Sequence, residues 1–268
     1  IRPNTKLQYV HVYQKNIAPY LGQRKIKSLV KSDIQKVIDL ADDAGYKYER
    51  QSKIKIILKD MLQRAVEDKL VINNPVSGIK LRAEKEESAH SLTVEDQITF
   101  FEYARNTFYE NLFRVAVNTG LRPGELFALT VDDVDFEKSV INVTKTLVYQ
   151  KYLDDEHKEF HIEPPKTKQS NRTVPMNSMC QEYMKRQIEL KKIVANKRPK
   201  EQNDYLFVTK FNTPLNSVIY SDAIKAVIRQ INLMRPLDDQ FEVFSGHTLR
   251  HTFATRCFEA GIEPKVVQ

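Results

Sequence analysis

Two short stretches of this chain place arginine where a buried surface would ordinarily want something apolar. In Asn118-Thr119-Gly120-Leu121-Arg122-Pro123-Gly124-Glu125-Leu126, Arg122 stands at a helix start between glycines that let backbone or ligand come close. Glu125 follows one helical turn on and can brace its guanidinium. In His247-Thr248-Leu249-Arg250-His251, His247 and Arg250 are three residues apart at the start of a second helix and so share a face. Two arginines with a histidine are equipment for holding a phosphodiester. Each planar guanidinium donates two hydrogen bonds to non-bridging oxygens and offsets the charge of a five-coordinate transition state. Either box alone reads as readily as an ion-pair arginine or a surface His–Arg pair. The six histidines show no HExxH or zinc-finger spacing, and Cys180 and Cys257 form no CxxC pair, so no metal or other cofactor is expected.

The elements that must position these residues follow from apolar periodicity. Leu7, Val10, Val12, Tyr13, Ile17 and Tyr20 predict a helix over residues 4–20, and Ser32-Asp33 opens another to about Ala41. A third runs from near Tyr48 to about Lys69, with Ile54, Ile57, Leu58, Met61, Leu62 and Ala65 inward. Its outer face is read as a basic stripe, Arg50, Lys53, Lys55, Lys59 and Arg64, suited to a phosphate backbone or simply to solvent. Residues 79–91 are charged and nearly devoid of apolar side chains, the pattern of a linker. Thr93 and Asp96 then resemble a capping box for a helix to about Asn106. A helix from about Tyr109 ends at Gly120, and Pro123 fits the first turn of a short one. From Asp135 the period changes to that of strands: 140–149, a return through Phe160 and Ile162, a polar turn at 166–171, and Arg172-Thr173-Val174-Pro175. Helices over 177–196, 217–231 and 248–260 complete the chain, with Leu206-Phe207-Val208 as a short apolar strand. The expected fold is mainly α with a small antiparallel β-sheet. It comprises a helical domain at 1–78, a charged linker at 79–91 and a mixed α+β domain at 92–268.

Charge separates the same parts. Residues 1–80 hold 16 Lys/Arg against 8 Asp/Glu, so the whole net charge of +7 is accounted for by the first third. A basic module beside a near-neutral one suits a part that neutralises phosphates and a part that acts more selectively. Only 7 glycines and no tryptophan argue against a glycine-rich nucleotide fold or a propeller. No apolar run approaches the ~18 residues of a membrane span, and the start is unlike a signal peptide. A soluble cytoplasmic protein with no membrane partner is expected.

GLRPGEL followed by HTLRHTFAT, with Arg122 and Arg250 128 residues apart, resembles the two arginine boxes of the tyrosine recombinases, or phage integrase family. PPKTKQSNRTVPM between them resembles the β-hairpin bearing that family's catalytic lysine, and Leu92-Thr93-Val94-Glu95-Asp96 resembles the opening of its catalytic domain. The resemblance covers essentially the whole chain and is closest to integrases of conjugative transposons. It implies that Arg122 and Arg250 clamp the scissile phosphate and that His247 hydrogen-bonds it and assists proton transfer. Lys166 would be the general acid to the leaving 5′ oxygen, with Lys168 its rival. Glu125 would orient Arg122 or His247, with His251 in support, and Lys168 and Arg172 would join the basic helix in touching DNA. The implied partners are double-stranded DNA and further copies of the chain, a dimer on one site and a tetramer in synapsis. The implied reaction is attack by a tyrosine, giving a 3′-phosphotyrosyl bond without metal or ATP. The family's nucleophile follows the second arginine box, whereas no tyrosine follows Tyr220 here, and Tyr205 and Tyr220 both precede that box. The chain is therefore expected to be C-terminally truncated, and to bind and bend DNA without cleaving it. Two further readings share these residues: a type IB topoisomerase-like enzyme, and a DNA-binding protein without catalysis.

Overall fold

Helical spacing in the first third and strand spacing near the middle both yield the elements they predict. The computed structural model describes residues 2–84, 91–164, 171–198 and 203–263. It divides into two compact units, Ile1–Ser88 with Lys151–Glu156, and Ala89–Gln150 with His157–Gln268.

In the first unit, α1 (Pro3–Val12) and α2 (Ala18–Leu21) are joined by one wider helical turn, Tyr13–Ile17. That turn buries Asn16, whose Oδ1 accepts from Arg50 Nη2 at 2.7 Å. Helices α3 (Lys31–Asp43) and α4 (Tyr48–Glu67) close the bundle over Ile34, Ile38, Ile54, Ile57, Leu58 and Leu62. Asp33 caps α3 by accepting the Val30 backbone N–H at 3.0 Å.

Two expectations change here. The five basic residues of α4 do not form one stripe. At about 100° per residue, Arg50, Lys53 and Arg64 fall on one flank of the buried face and Lys55 and Lys59 on the other. Arg50 is held by Asn16, and Lys55 Nζ donates to the Ile79 carbonyl at 2.7 Å. Only Lys53, Lys59 and Arg64 stand exposed. The second change concerns the linker. Ile79 is buried, and the wholly buried Gln51 accepts from the backbone of Arg82 at 2.9 Å and of Ala83 at 3.2 Å. Its amide donates to Asp42 and to the Tyr46 carbonyl. The stretch up to Ala83 is thus fastened to the helices by backbone bonds that its charged side chains did not advertise. Residues 85–90 lie outside the described residues.

The second unit contains α5 (Val94–Tyr103), α6 (Glu110–Thr119), α7 (Pro123–Ala128), α8 (Ser178–Lys197), α9 (Ser217–Asn232) and α10 (Gly246–Glu259). Among the described residues, five short strands, β1 (Val134–Asp135), β2 (Val140–Val143), β3 (Thr146–Gln150), β4 (Glu159–Glu163) and β5 (Arg172–Pro175), form two antiparallel sheets, β1-β2-β5 and β3-β4. The strand expected as one run over 140–149 is therefore two. It breaks at Thr144-Lys145, where Lys145 Nζ turns to pair with Asp133 at 2.8 Å. Leu206-Phe207-Val208 is not a strand of its own. Single bridges, Thr130 to Tyr205 and Val208 to Pro214, meet its pairing needs without a ladder. Thr93 caps α5 as expected, accepting from Asp96 N at 3.0 Å. The fold is mainly α with small antiparallel sheets. Among the described residues, no helix is long and apolar enough to cross a membrane.

Tyr220 sits at the centre of this core, edge-on to Phe127 with ring centroids 5.4 Å apart. Its hydroxyl is buried without a hydrogen-bond partner among the described residues. An unmet buried hydroxyl costs free energy that phenylalanine would not incur. Tyr220→Phe should therefore raise stability by about 1 kcal/mol. Calorimetry showing a lower melting temperature for the variant would mean that the hydroxyl has a partner.

Candidate phosphate-binding site

The loop from Gly120 to Arg122 joins two helix ends. Gly120 closes α6 with φ of +61°, the left-handed region that suits glycine. A β-carbon there would also run into the Phe253 ring of α10. Arg122 stands immediately before α7, and Pro123 takes the first helical position. Glu125 folds back to accept the Arg122 backbone N–H at 3.0 Å, half of a capping box. Its other oxygen accepts from Arg122 Nη1 at 2.9 Å.

Glu125 is only 4% exposed and has a second cationic partner. Arg172, the first residue of β5, donates from Nη2 at 2.8 Å to one carboxylate oxygen and from Nη1 at 3.1 Å to the other. Burial on its own would raise the Glu125 pKa. The hydrogen bonds from Arg172 and from the Arg122 backbone, with their charges, outweigh it and hold the carboxyl below its ordinary value.

Helix α10 brings the second box to the same place. Arg250 Nη1 donates to the Gly120 carbonyl, at the C-terminal end of α6 where the helix dipole favours a cation. Burial and then the neighbouring Arg122 charge lower its pKa, with Arg172 adding to the effect and Glu125 opposing it. His247 lies in the same field. Packing of its inner edge, followed by the charges of His251, Arg250 and Arg122, pushes its pKa below the ordinary value. Gly246, which opens α10 just before it, has no room for a side chain because the Tyr220 ring fills that space. Thr252 holds the next turn by accepting the Leu92 N–H at 2.9 Å and donating to the Thr248 carbonyl at 2.8 Å. A cavity of about 580 Å³ beside the cluster is lined by Gly120, Arg172 and Arg250 together with Phe253, Cys257 and Ile262.

Arg122, Glu125, His247 and Arg250 therefore meet, although the two boxes lie far apart along the chain. His251 is exposed beside them. Arg172, read from sequence as a DNA contact, is turned inward to Glu125 with its side chain 23% exposed. Strand alternation was the available signal, since Arg172 shares a face of β5 with the buried Val174. Lys166 and Lys168 lie outside the described residues. Arg50, Lys53, Lys55, Lys59 and Arg64 belong to the first unit.

Two guanidinium groups, with donors left unmatched among the described residues, and a neutral-leaning imidazole in one field can bind a tetrahedral oxyanion and stabilise added charge on it. Comparison with known proteins gives the family. A profile of the phage integrase family matches residues 91–268, and one of the phage integrase N-terminal SAM-like domain matches residues 1–40. The chain belongs to the phage integrase family. The transposase from transposon Tn916 of Enterococcus faecalis is 30% identical over 92% of this chain and 61% of its own length. A XerC-like tyrosine recombinase of Caldanaerobacter subterraneus subsp. tengcongensis is 28% identical over 99% of this chain and 70% of its own. The chain thus spans about three-fifths of the Tn916 relative. Among solved structures, the Tn1549 transposon integrase in complex with circular intermediate DNA superposes with a TM-score of 0.83 at 23% identity, covering 100% of this chain and 85% of that one. A lambda integrase dimer bound to a core site gives 0.66 at 18% identity, covering 100% and 84%. At such identities these two likenesses speak for the family's fold.

The shared field can be read directly. Removing the positive charge of Arg250 favours the imidazolium form, so Arg250→Gln should move the His247 titration midpoint upward. Proton NMR of the imidazole C2–H across the titration checks this. An unmoved or lowered midpoint would place Arg250 outside the field of His247.

Proposed function

We propose that this chain is the core-binding and catalytic part of a site-specific DNA recombinase of a mobile element, which cuts and rejoins duplex DNA through a 3′-phosphotyrosyl intermediate. The observation that carries the reading is the meeting of Arg122 and Arg250 around the buried Glu125, with His247 beside them. Arg122 is about half exposed, and Glu125 engages only one of its terminal nitrogens. Its remaining donors are available to one non-bridging phosphate oxygen and those of Arg250 to another. As negative charge builds on the phosphoryl oxygens, these fixed cations stabilise it more than they stabilise the resting diester, which is the condition for acceleration. His247, kept largely neutral at physiological pH, can accept or donate a hydrogen bond at the phosphate. Lys166 is assigned as the acid that protonates the leaving 5′ oxygen, with Lys168 the alternative, on the family resemblance. His251 supports the clamp.

The nucleophile is not among the tyrosines near the arginine boxes. Tyr220 is fully buried, and its burial drives its pKa far up. The Tyr205 pKa is raised by burial and then by Asp204. Tyr220, enclosed in the core, does not reach a phosphate, and Tyr205 precedes the second arginine box, unlike the family's nucleophile. These 268 residues on their own are accordingly assigned DNA binding without cleavage.

The partner is double-stranded DNA. The exposed Lys53, Lys59 and Arg64 of the first unit supply phosphate contacts, and Lys168 adds one near the catalytic hairpin. Strand exchange between two duplexes needs four active sites, so a dimer on each site and a tetramer in synapsis are proposed. The setting is the bacterial cytoplasm.

The experiment uses a protein extended to the full length of its relatives and a nicked duplex that releases its 5′ fragment. Wild type should become covalently attached to DNA, and the 268-residue chain should bind the same duplex without attachment. Arg122→Lys should suppress attachment at least about a hundredfold while leaving binding within about tenfold, because one fixed fork toward the transition state is lost and the charge remains. Equal loss of binding and attachment would make Arg122 a docking or folding residue instead.

A further inference from the structure

The Glu125 carboxylate is shared, and its two arginines do different things. Arg122 reaches it with one terminal nitrogen and is otherwise open to solvent. Arg172 engages both oxygens, through Nη2 at 2.8 Å and Nη1 at 3.1 Å, and is mostly buried. The geometry of Arg172 is that of an anchor.

It is anchored in turn by the sheet. Arg172 opens β5 and is paired in register with Val143, while Val174 of the same strand pairs with Ile141. Val174, Val143 and Ile141 are all buried. The backbone that carries Arg172 is thus fixed by a ladder resting on the core. Arg122, by contrast, sits in a loop between helices.

We infer that Arg172 is a positioning residue: by gripping Glu125 from the sheet, it fixes the carboxylate that aims Arg122 at the phosphate. This rests on the phosphate-clamp reading above and departs from the expectation that Arg172 itself touches DNA. The groups facing Glu125 are Arg122 from the start of α7, Arg172 from β5 and Arg250 from α10, with His247 of α10 beside Arg250. Remove Arg172, and the buried carboxylate keeps Arg122 as its only direct cationic partner among the described residues. Burial then favours the protonated acid. A protonated Glu125 no longer holds Arg122 by charge. Loss of Arg172 should therefore weaken anion binding most at acid pH and least at alkaline pH. An arginine that merely stabilises the fold would not produce that dependence, and neither would one that touches the anion directly.

The test uses the 268-residue chain and inorganic vanadate, a phosphate mimic that adopts five-coordinate geometry. Affinity is measured by calorimetry from about pH 8 to about pH 5.5, a window that spans the carboxyl range of a buried glutamate. Each variant is taken as a ratio to wild type at the same pH, so that protonation of the probe cancels. Arg172→Gln should bind within about threefold of wild type at the alkaline end and at least about tenfold more weakly at the acid end. Affinity for a random duplex at neutral pH should stay within about twofold, since no phosphate contact is lost. Arg172→Lys gives a second measurement if the glutamine variant does not fold. It retains charge but only one donor at a time, so a smaller loss with the same acid dependence is expected.

A loss equal at all pH values, or one matched by the duplex, would make Arg172 a direct anion contact and overturn the inference. No loss at all would do the same. Arg122→Lys is the control for the underlying reading. If it weakens vanadate binding and Arg172→Gln does not, only the role of Arg172 falls. If it leaves vanadate binding untouched, the clamp fails and the inference with it.

Discussion

A single buried carboxylate holds the functional end of this molecule together. Glu125 is almost wholly removed from solvent, which by itself would favour its neutral form. It remains charged because Arg172 and Arg122 both donate to it, one from a strand and the other from a loop. Such an ion group contributes little net stability compared with an apolar replacement, yet breaking it by removing one partner costs about 3–5 kcal/mol. Its value lies in geometry. A buried carboxylate accepting from two guanidinium groups and a backbone N–H has very few arrangements, and so has the arginine it holds.

The other half of the site depends on close packing around two glycines. At Gly120 the chain takes a left-handed turn where Phe253 of α10 leaves no space for a β-carbon. At Gly246 the helix start lies against the Tyr220 ring. Larger residues at either point would push α10 away, and Arg250 and His247 with it. The Gly120 carbonyl then accepts from Arg250, so one residue ends α6, admits Phe253 and receives the second arginine. Leu92 and Thr252 tie the first turn of this unit to the same helix. A convergence between residues 128 positions apart is therefore built from short contacts.

Much of this was legible in the amino acids, and the reasons differ by feature. Helix ends announced by Thr93, Gly120 and Pro123 appear where local chemistry puts them, since caps and breakers act through their own neighbours. Arg122, Glu125, His247 and Arg250 were named because arginine stood where a buried surface would want something apolar, and because the two boxes resemble those of the phage integrase family. What periodicity missed depends on partners distant in sequence. Residues 79–83 carry a linker's composition, yet Gln51 and Lys55 satisfy their backbone. The basic stripe of α4 dissolved because lysine and arginine flank a buried face as readily as they cover an exposed one. Charge alone suggested a DNA contact for Arg172, whereas its alternation with the buried Val174 already pointed to the pairing with Glu125.

The arrangement carries its own electrostatic argument for a ligand. Arg122, Arg172 and Arg250 share one field in which, among the described residues, Glu125 opposes them, and His247 stands at its edge. Arg250 is shifted downward first by burial and then by its cationic neighbour. The site therefore holds like charges together in partly desolvated surroundings, at a cost met by the packing of α10 against the core. An anion entering between Arg122 and Arg250 would relieve that repulsion and gain hydrogen bonds from donors already fixed in place. A doubly charged transition state would relieve it further. On the proposed function, the repulsion among these cations and a preference for a phosphate gathering charge would have the same electrostatic origin.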